Sequence, residues 1–253
     1  MGIEPTRPAW KAGILPLNYT RIPLAENCPI IIPQTSLFVK SNFYIFLSFF
    51  IFPKSLHKRG FYVKIRYTTF IKDDVMKKTY HTLSRLLTPD YMFTTFDEVT
   101  PSFLNEHGIR ALLIDIDNTL APYEQDDPDE RILAWFASLR AAGIQAALIS
   151  NNHPPRVERF NAPLSLPAYA DSGKPGSRAI LAAMKEMDVT VKETAGLGDQ
   201  LLTDTWAVHR LGMRSIIVPP IKDKTTLFFR FKRGLERPFI KRYCKIHANK
   251  ENV

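Results

Sequence analysis

Cysteine is nearly absent. The chain has two, Cys28 and Cys244, one in each basic end, which excludes a disulfide framework and a cysteine-ligated metal cluster and makes a reducing cytoplasm the expected setting. Long apolar runs are also missing: the most apolar stretch, Phe43–Phe52, is too short to span a bilayer and is closed by Pro53. It lies too far from the start, without a small-residue cleavage pattern, to read as a secretory signal. No internal repeat or low-complexity tract is present, so solenoids and repeat arrays are excluded. What remains is a chain of 253 residues, 45% of them hydrophobic, enough for one good core with appendages.

The net charge of +9 suggests nucleic acid until its distribution is read. Residues 1–75 carry 10 Lys/Arg against 4 Asp/Glu, and residues 221–253 carry 10 against 3. The middle, 76–220, holds 14 against 18 and is mildly acidic. Three regions follow: an N-terminal extension over 1–75, a folded domain over 76–220, and a basic, aromatic C-terminal tail over 221–253. The extension mixes Pro, Asn, Ile, Phe and Lys without period and is expected to be disordered or untranslated. Residues 8–21 resemble the conceptual translation of an antisense transfer-RNA gene, since Ile14–Tyr19 can be encoded as ATTCTACCACTGAACTAC, the complement of a D-arm-like sequence. Met76 is then the expected start; a membrane-associating leader is the competing reading.

From Ala111 short apolar runs alternate with helical stretches, the pattern of a parallel sheet wrapped by helices. Strands are expected at Ala111–Asp115, Ile144–Ser150, Ala168–Ala170, Ala195–Leu197 and Ser215–Val218. One helix is signalled by Asp127 as cap, Pro128 at its first position, Asp129 and Glu130 in its first turn, and Gly143 beyond its end. A second is expected from Lys174-Pro175 to about Met187, and a third over Thr203–Leu211, closed by Gly212.

Chemistry concentrates at strand ends. The run Leu112-Leu113-Ile114-Asp115-Ile116-Asp117-Asn118-Thr119-Leu120 delivers two carboxylates at the carboxyl end of a buried strand, where open α/β sheets place ligands. One can attack phosphorus while the other protonates the leaving oxygen and then activates water. A carboxylate approaching a phosphate dianion needs a cation, and Mg²⁺ with oxygen ligands suits. Gly198-Asp199-Gln200-Leu201-Leu202-Thr203-Asp204 follows another apolar strand, so Asp199 is expected at the same sheet edge. Ser150 and Lys174 supply the hydroxyl and ammonium that hold non-bridging phosphate oxygens. Taken singly, each is equally a turn former or a solvated surface residue. Their joint order favours a site. His153 and His209 have no metal-ligand spacing and receive no role.

This order resembles the haloacid dehalogenase (HAD) superfamily: DxDxT (Asp115, Asp117, Thr119), a hydroxyl after the second strand (Ser150), a lysine (Lys174) and an acidic GDxxxxD motif (Asp199, Asp204). Asp117-Asn118-Thr119-Leu120, Ser150-Asn151-Asn152, Lys174-Pro175 and residues 198–204 are similar, more narrowly, to the YqeG-type phosphatases of subfamily IIIA. The similarity runs from about Met76 to Pro220. It implies a HAD-like Rossmannoid three-layer sandwich with a parallel sheet. It also implies Asp115 as nucleophile and metal ligand, Asp117 as general acid/base with its carbonyl on the metal, and Asp199 as a further ligand. Ser150 and Lys174 are implied as phosphate binders, with Asn151 near the phosphate. Asp204, Asn118 and Thr119 are expected to support the site from behind.

Neither the gap from Asp117 to Ser150 nor that from Ser150 to Lys174 holds a folded cap domain. An open site favours a large substrate whose phosphate projects from a surface. The tail interleaves Leu227, Phe228, Phe229, Phe231, Leu235, Phe239, Ile240 and Tyr243 with Arg230, Lys232, Arg233, Arg237, Lys241 and Arg242. That pattern suits the interface of an anionic membrane, and equally a packing helix with snorkelling cations. A nucleic-acid surface is a third reading, though no recognised module is present. The YqeG resemblance implies phosphatidylglycerophosphate as substrate, hydrolysed through an aspartyl-phosphate at the inner face of the cell membrane. The alternatives are a soluble phosphatase for phosphoprotein, sugar or nucleotide phosphates, and an RNA- or ribosome-associated binding protein on the same fold.

Overall fold

Strands buried on both faces need helices above and below, and their sequences are then apolar throughout rather than alternating. The computed structural model, which describes residues 73–222 and 227–251, has this arrangement. The expectations placed on residues 1–72, an untranslated start or a membrane leader, lie outside the described residues. In chain order, α1 (Asp73–Leu87) and β1 (Tyr91–Met92) lead through a single 3₁₀ turn to α2 (Pro101–Glu106) and β2 (Ala111–Ile114). There follow α3 (Glu130–Ala141), β3 (Gln145–Ile149), α4 (Pro154–Asn161), β4 (Ala168–Tyr169), α5 (Arg178–Glu186) and β5 (Thr194–Gly198). A wide π-helical turn (Leu201–Thr205), α6 (Trp206–His209), β6 (Arg214–Ile217) and α7 (Leu227–Glu251) complete the chain.

The six strands are all parallel, in the order β1-β6-β5-β2-β3-β4. β2 lies between β5 and β3, so its carboxyl end opens at the middle of the sheet. Its side chains divide by parity, as a strand's must. Leu112 and Ile114 join Ile132, Trp135, Phe136 and Leu139 of α3 and Phe160 of α4 in one core layer. Ala111 and Leu113 face Ile180, Ala183 and Met184 of α5 and Val208 of α6 in the other. Each fully buried apolar side chain of this kind contributes about 1.5–3 kcal/mol. The expected three-layer parallel α/β sandwich is therefore present, and among the described residues no insertion of cap size follows β2 or β3.

Three local expectations are corrected. The cap of α3 is Asp129, not Asp127: Asp129 Oδ1 accepts from the Ile132 amide at 2.9 Å. Asp127 instead pairs with Arg159, which leaves Pro128 ahead of the helix rather than within it. α5 begins at Arg178, not Lys174, because the Asn151 side chain takes both the amide and the carbonyl of Lys174 and fixes it in a loop. The third helix starts earlier than Thr203, as the wide turn at Leu201.

The C-terminal segment is a helix that packs on the domain along one face. Phe239 and Ile240 of α7 are buried, Phe239 stacks on Tyr80 of α1, and the Tyr243 hydroxyl accepts from the Met92 amide at 3.2 Å. Glu236 is buried beneath the helix and accepts from the Leu202 amide at 3.2 Å. Arg237, Lys241, Arg242 and Lys245 remain exposed, spaced to form one basic stripe along the outside. Among the described residues no helix is long and apolar enough to cross a membrane.

Candidate active site

The site grows from the end of β2. The Asp115 amide still donates to Leu197 of β5, at 2.9 Å, so the nucleophile candidate is anchored to the sheet at its last hydrogen bond. The chain then turns: the amides of Thr119, Leu120 and Ala121 all donate to the Ile116 carbonyl. Asn118 sits at the apex with a φ of 66°, in the left-handed region that asparagine tolerates better than most residues. Its amide donates to Ala121 and its carbonyl accepts from Ile221, so its task is to shape the loop. Thr119 Oγ1 donates to Asp115 Oδ2 at 3.2 Å.

Lys174 closes the site from the loop after β4. Its Nζ lies 2.6 Å from Asp115 Oδ1 and 2.8 Å from Asp204 Oδ1, with the side chain almost wholly buried. Burial alone works against a charged lysine, yet the carboxylates of Asp115 and Asp204 hold its ammonium above the usual lysine range. Asn151 Oδ1 accepts from the Lys174 amide at 2.7 Å and from Ser172 Oγ at 2.8 Å. Asn151 is thus a brace for the lysine loop. Ser150, buried, accepts from the Asn152 amide at 3.0 Å and opens on the same cleft.

Asp199 leaves the end of β5, and the wide turn brings Asp204 back beside it, with Asp204 Oδ2 accepting from the Gln200 amide at 3.0 Å. Gly198 makes this return possible, since a β-carbon there would lie 2.4 Å from Asp204 Cγ. One carboxylate oxygen each from Asp115, Asp199 and Asp204 falls within 4.8 Å of the others. Asp204, expected behind the site, stands in this group. The Asp117 carboxylate does not. It is held by Asn152 Nδ2 at 3.0 Å and by Arg156 Nη2 at 3.3 Å.

Burial is the main force on these acids. It pushes Asp115 up to about 8, against the pull of the Lys174 ammonium and with a further push from Asp204 and Asp199. Burial also pushes Asp199 up to about 6, opposed by the Arg233 guanidinium and reinforced by Asp204 and Glu236. Three hard oxygen donors, crowded and short of positive charge, suit a divalent cation. The cleft lined by Asp115, Asp117, Ser150, Lys174 and Asp204 has a volume of about 300 Å³.

Several contributors left no signal in the local motifs. Arg156 joins Asn152 of the Ser150-Asn151-Asn152 motif in holding Asp117, while Arg233 of α7 bonds the Asp199 carboxylate and Lys232 lines the cleft. Glu236, three residues after Arg233 and set among basic residues of the helix, is a sequence signal for a buried pair that contiguous motifs do not capture. His209 packs, as its lack of ligand spacing implied, between the Leu86 carbonyl and the Asp90 carboxylate.

A protein-family model described as a haloacid dehalogenase-like hydrolase matches residues 51–212. The chain is 31% identical over 155 residues to "Probable phosphatase YqeG" of Bacillus subtilis (strain 168), covering 61% of this chain and 90% of that protein. Among solved structures, a cobalt-bound deoxy-D-mannose-octulosonate 8-phosphate phosphatase from Haemophilus influenzae is 24% identical with a TM-score of 0.34, over 37% of this chain and 60% of that one. A structure described as a putative subfamily III A hydrolase of the HAD superfamily, from Legionella pneumophila, is 17% identical with a TM-score of 0.31, over 51% of this chain and 65% of that one. The chain thus spans less than two thirds of the length of either structure.

Proposed function

The chain belongs to the haloacid dehalogenase-like hydrolase family, and from that membership we propose that it is a Mg²⁺-dependent phosphomonoester hydrolase acting on a phospholipid headgroup, with phosphatidylglycerophosphate as the substrate. The observation that carries the hydrolase reading is the contact of Lys174 Nζ with Asp115 Oδ1 at 2.6 Å, beside the carboxylates of Asp199 and Asp204. The relative's description as a probable phosphatase supports it.

In this reading an Asp115 oxygen attacks phosphorus as the bond from phosphorus to the leaving oxygen breaks. Asp117 gives its proton to that oxygen. Asp117 then takes a proton from water, whose oxygen attacks the aspartyl-phosphate, releasing inorganic phosphate and returning Asp115 as a carboxylate. Lys174 holds non-bridging oxygens throughout, with Ser150 beside it. Asp115, Asp199 and Asp204 would hold the cation, together with the Asp117 carbonyl; when bound, it neutralises charge on the transferring group.

The lipid preference rests on the absence of a cap-sized insertion among the described residues and on the exposed basic stripe of α7. Anionic membrane surfaces attract such residues by about 1 kcal/mol each. Phosphate release from a panel containing phosphatidylglycerophosphate, sugar phosphates and nucleotides, with Asp115→Asn as blank, tests both levels. Release by the variant at the wild-type rate removes Asp115 as nucleophile. Hydrolysis of soluble esters with no action on the lipid removes the membrane substrate. A second arm replaces Arg237, Lys241, Arg242 and Lys245 with Gln and measures sedimentation with anionic vesicles, where retained binding counts against the stripe.

A further inference from the structure

The loop that carries two of the three acids, Asp199 to Asp204, is held at two points from α7. At its start Arg233 donates to Asp199 Oδ2 at 2.7 Å and to the Asp199 carbonyl at 2.8 Å. In its middle the Leu202 amide donates to Glu236, buried and three residues further along the helix, at 3.2 Å. The two holds are joined, since Arg233 also donates to Glu236 at 2.9 Å. The loop itself does little to aim Asp199: its one side-chain contact there is the Gln200 amide on Asp199 Oδ1, at 3.3 Å. The helix is in turn seated on the domain by the buried Phe239 and Ile240 and by the Tyr243 hydroxyl on the Met92 amide.

A carboxylate gripped on one oxygen holds the other in a fixed direction. Arg233 has Oδ2, which leaves Oδ1, with its long amide contact, to an ion shared with Asp115 and Asp204. We infer that Arg233 is a positioning residue for the metal site, presenting Asp199 to the ion, so that ion binding and docking of the C-terminal helix strengthen each other. This rests on the metal site of the reading above and not on its substrate. Charge alone gives the opposite sign, because a guanidinium beside the site repels a cation. Glu236 offsets that charge at 2.9 Å, so Arg233 brings its bonding geometry with little net field. Coupling of this kind is reciprocal: what the docked helix adds to ion affinity, the ion adds to the docking of the helix.

Mg²⁺ binding and amide exchange in the full-length chain test this, and neither reads turnover. Calorimetric titration with Mg²⁺ is expected to show affinity about 10–100-fold weaker in Arg233→Met than in the wild type, the usual effect of losing the partner behind a metal ligand. Arg233→Lys keeps a cation for the carboxylate but not the fork onto the carbonyl, and is expected to recover part of the loss. In the wild type, saturating Mg²⁺ is expected to slow the α7 amides that exchange by local opening, those faster than the amides of β2, by a like factor. A helix that only supports the fold would lose stability in the variants, but its exchange would not answer to the ion. Equal or tighter Mg²⁺ binding in Arg233→Met overturns the inference, and so does α7 exchange indifferent to Mg²⁺ in the wild type. The exchange measurement needs no variant, so it decides even if Arg233→Met fails to fold. Mg²⁺ binding that is the same in wild type and variant removes the positioning role and leaves the metal site standing. No Mg²⁺ binding by the wild type removes the metal site, and the inference with it.

Discussion

Arg233 grips Asp199 across 34 residues of sequence, one guanidinium nitrogen on the carboxylate at 2.7 Å and another on the backbone carbonyl at 2.8 Å. The second nitrogen also reaches Glu236 at 2.9 Å, and both acids are buried. The C-terminal helix is therefore part of the site. Removing one partner of a buried network leaves its charges uncompensated, which costs far more than the network's net worth. Arg233→Met is expected to lower the unfolding free energy by about 3–5 kcal/mol. Lys at this position, lacking the fork, is expected to recover only part of it. Urea denaturation of the two variants is the check, and a loss below about 1 kcal/mol in Arg233→Met contradicts the proposed coupling.

The raised acids set a pH dependence whose sign is fixed. Asp115 at about 8 and Asp199 at about 6 stand above the ordinary carboxylate value of 3.8, mainly through burial. Between these limits the metal-free folded chain holds protons that the unfolded chain has released, so its stability falls as pH rises. A bound divalent ion takes the place of those protons. Thermal melts with chelator are expected to show a midpoint that declines from about pH 5 to about pH 8, and Mg²⁺ to raise the midpoint more at the upper end. A chelated midpoint that climbs over this range, with an equal Mg²⁺ effect at both ends, contradicts the assignment.

How far the sequence speaks is visible in Asp115 and Arg233. Asp115, Asp117, Ser150, Lys174 and Asp199 were legible because each stands at the end of an apolar strand or in a short contiguous motif, and a parallel sheet carries all such ends to one edge. The structure gathers them there. Arg156 and Arg233 were hidden because they reach the site through helix faces, where position depends on packing rather than on local pattern. For Asp204 the motif alone implies a supporting place. Its place among the three acids follows from the wide turn at Leu201–Thr205, which no residue there announces. The sequence alone does not separate Asp127 from Asp129 as the cap of α3, because the two are chemically alike and only the partner of Asp127, Arg159, distinguishes them.

Gly198 gives a sharp steric prediction. Its missing β-carbon would lie 2.4 Å from Asp204 Cγ, so Gly198→Ala must displace the carboxylate that meets Lys174 at 2.8 Å. A destabilisation of about 1–3 kcal/mol is expected, with Mg²⁺ affinity falling about tenfold. Gly234→Ala, on the exposed side of α7 with nothing within 4 Å of the added methyl, is the contrast and is expected to stabilise by about 0.5–1 kcal/mol. Denaturant melts and Mg²⁺ titration of both variants decide; unchanged affinity in Gly198→Ala removes Asp204 from the metal group.

Asp117 is held from one side by Arg156 at 3.3 Å and by Asn152 at 3.0 Å, so its aim at a leaving oxygen depends on both. Arg156 is itself fixed, donating to the Asp126 carbonyl and lying over the Phe160 ring at 5.1 Å. Arg156→Leu frees the Asp117 carboxylate to turn away, and misplacement of a proton donor costs about 10²-fold in rate. The loss must depend on the leaving group, because a good one departs without a proton. An alkyl phosphate is expected to lose kcat/KM, which reports the step that expels the leaving group, by about 10²-fold in Arg156→Leu, and p-nitrophenyl phosphate by less than about tenfold. Steady-state kinetics on the two esters measure the difference. Equal losses on both would mean that Arg156 serves the phosphoryl group and not the acid, moving Asp117 out of the proton-transfer role.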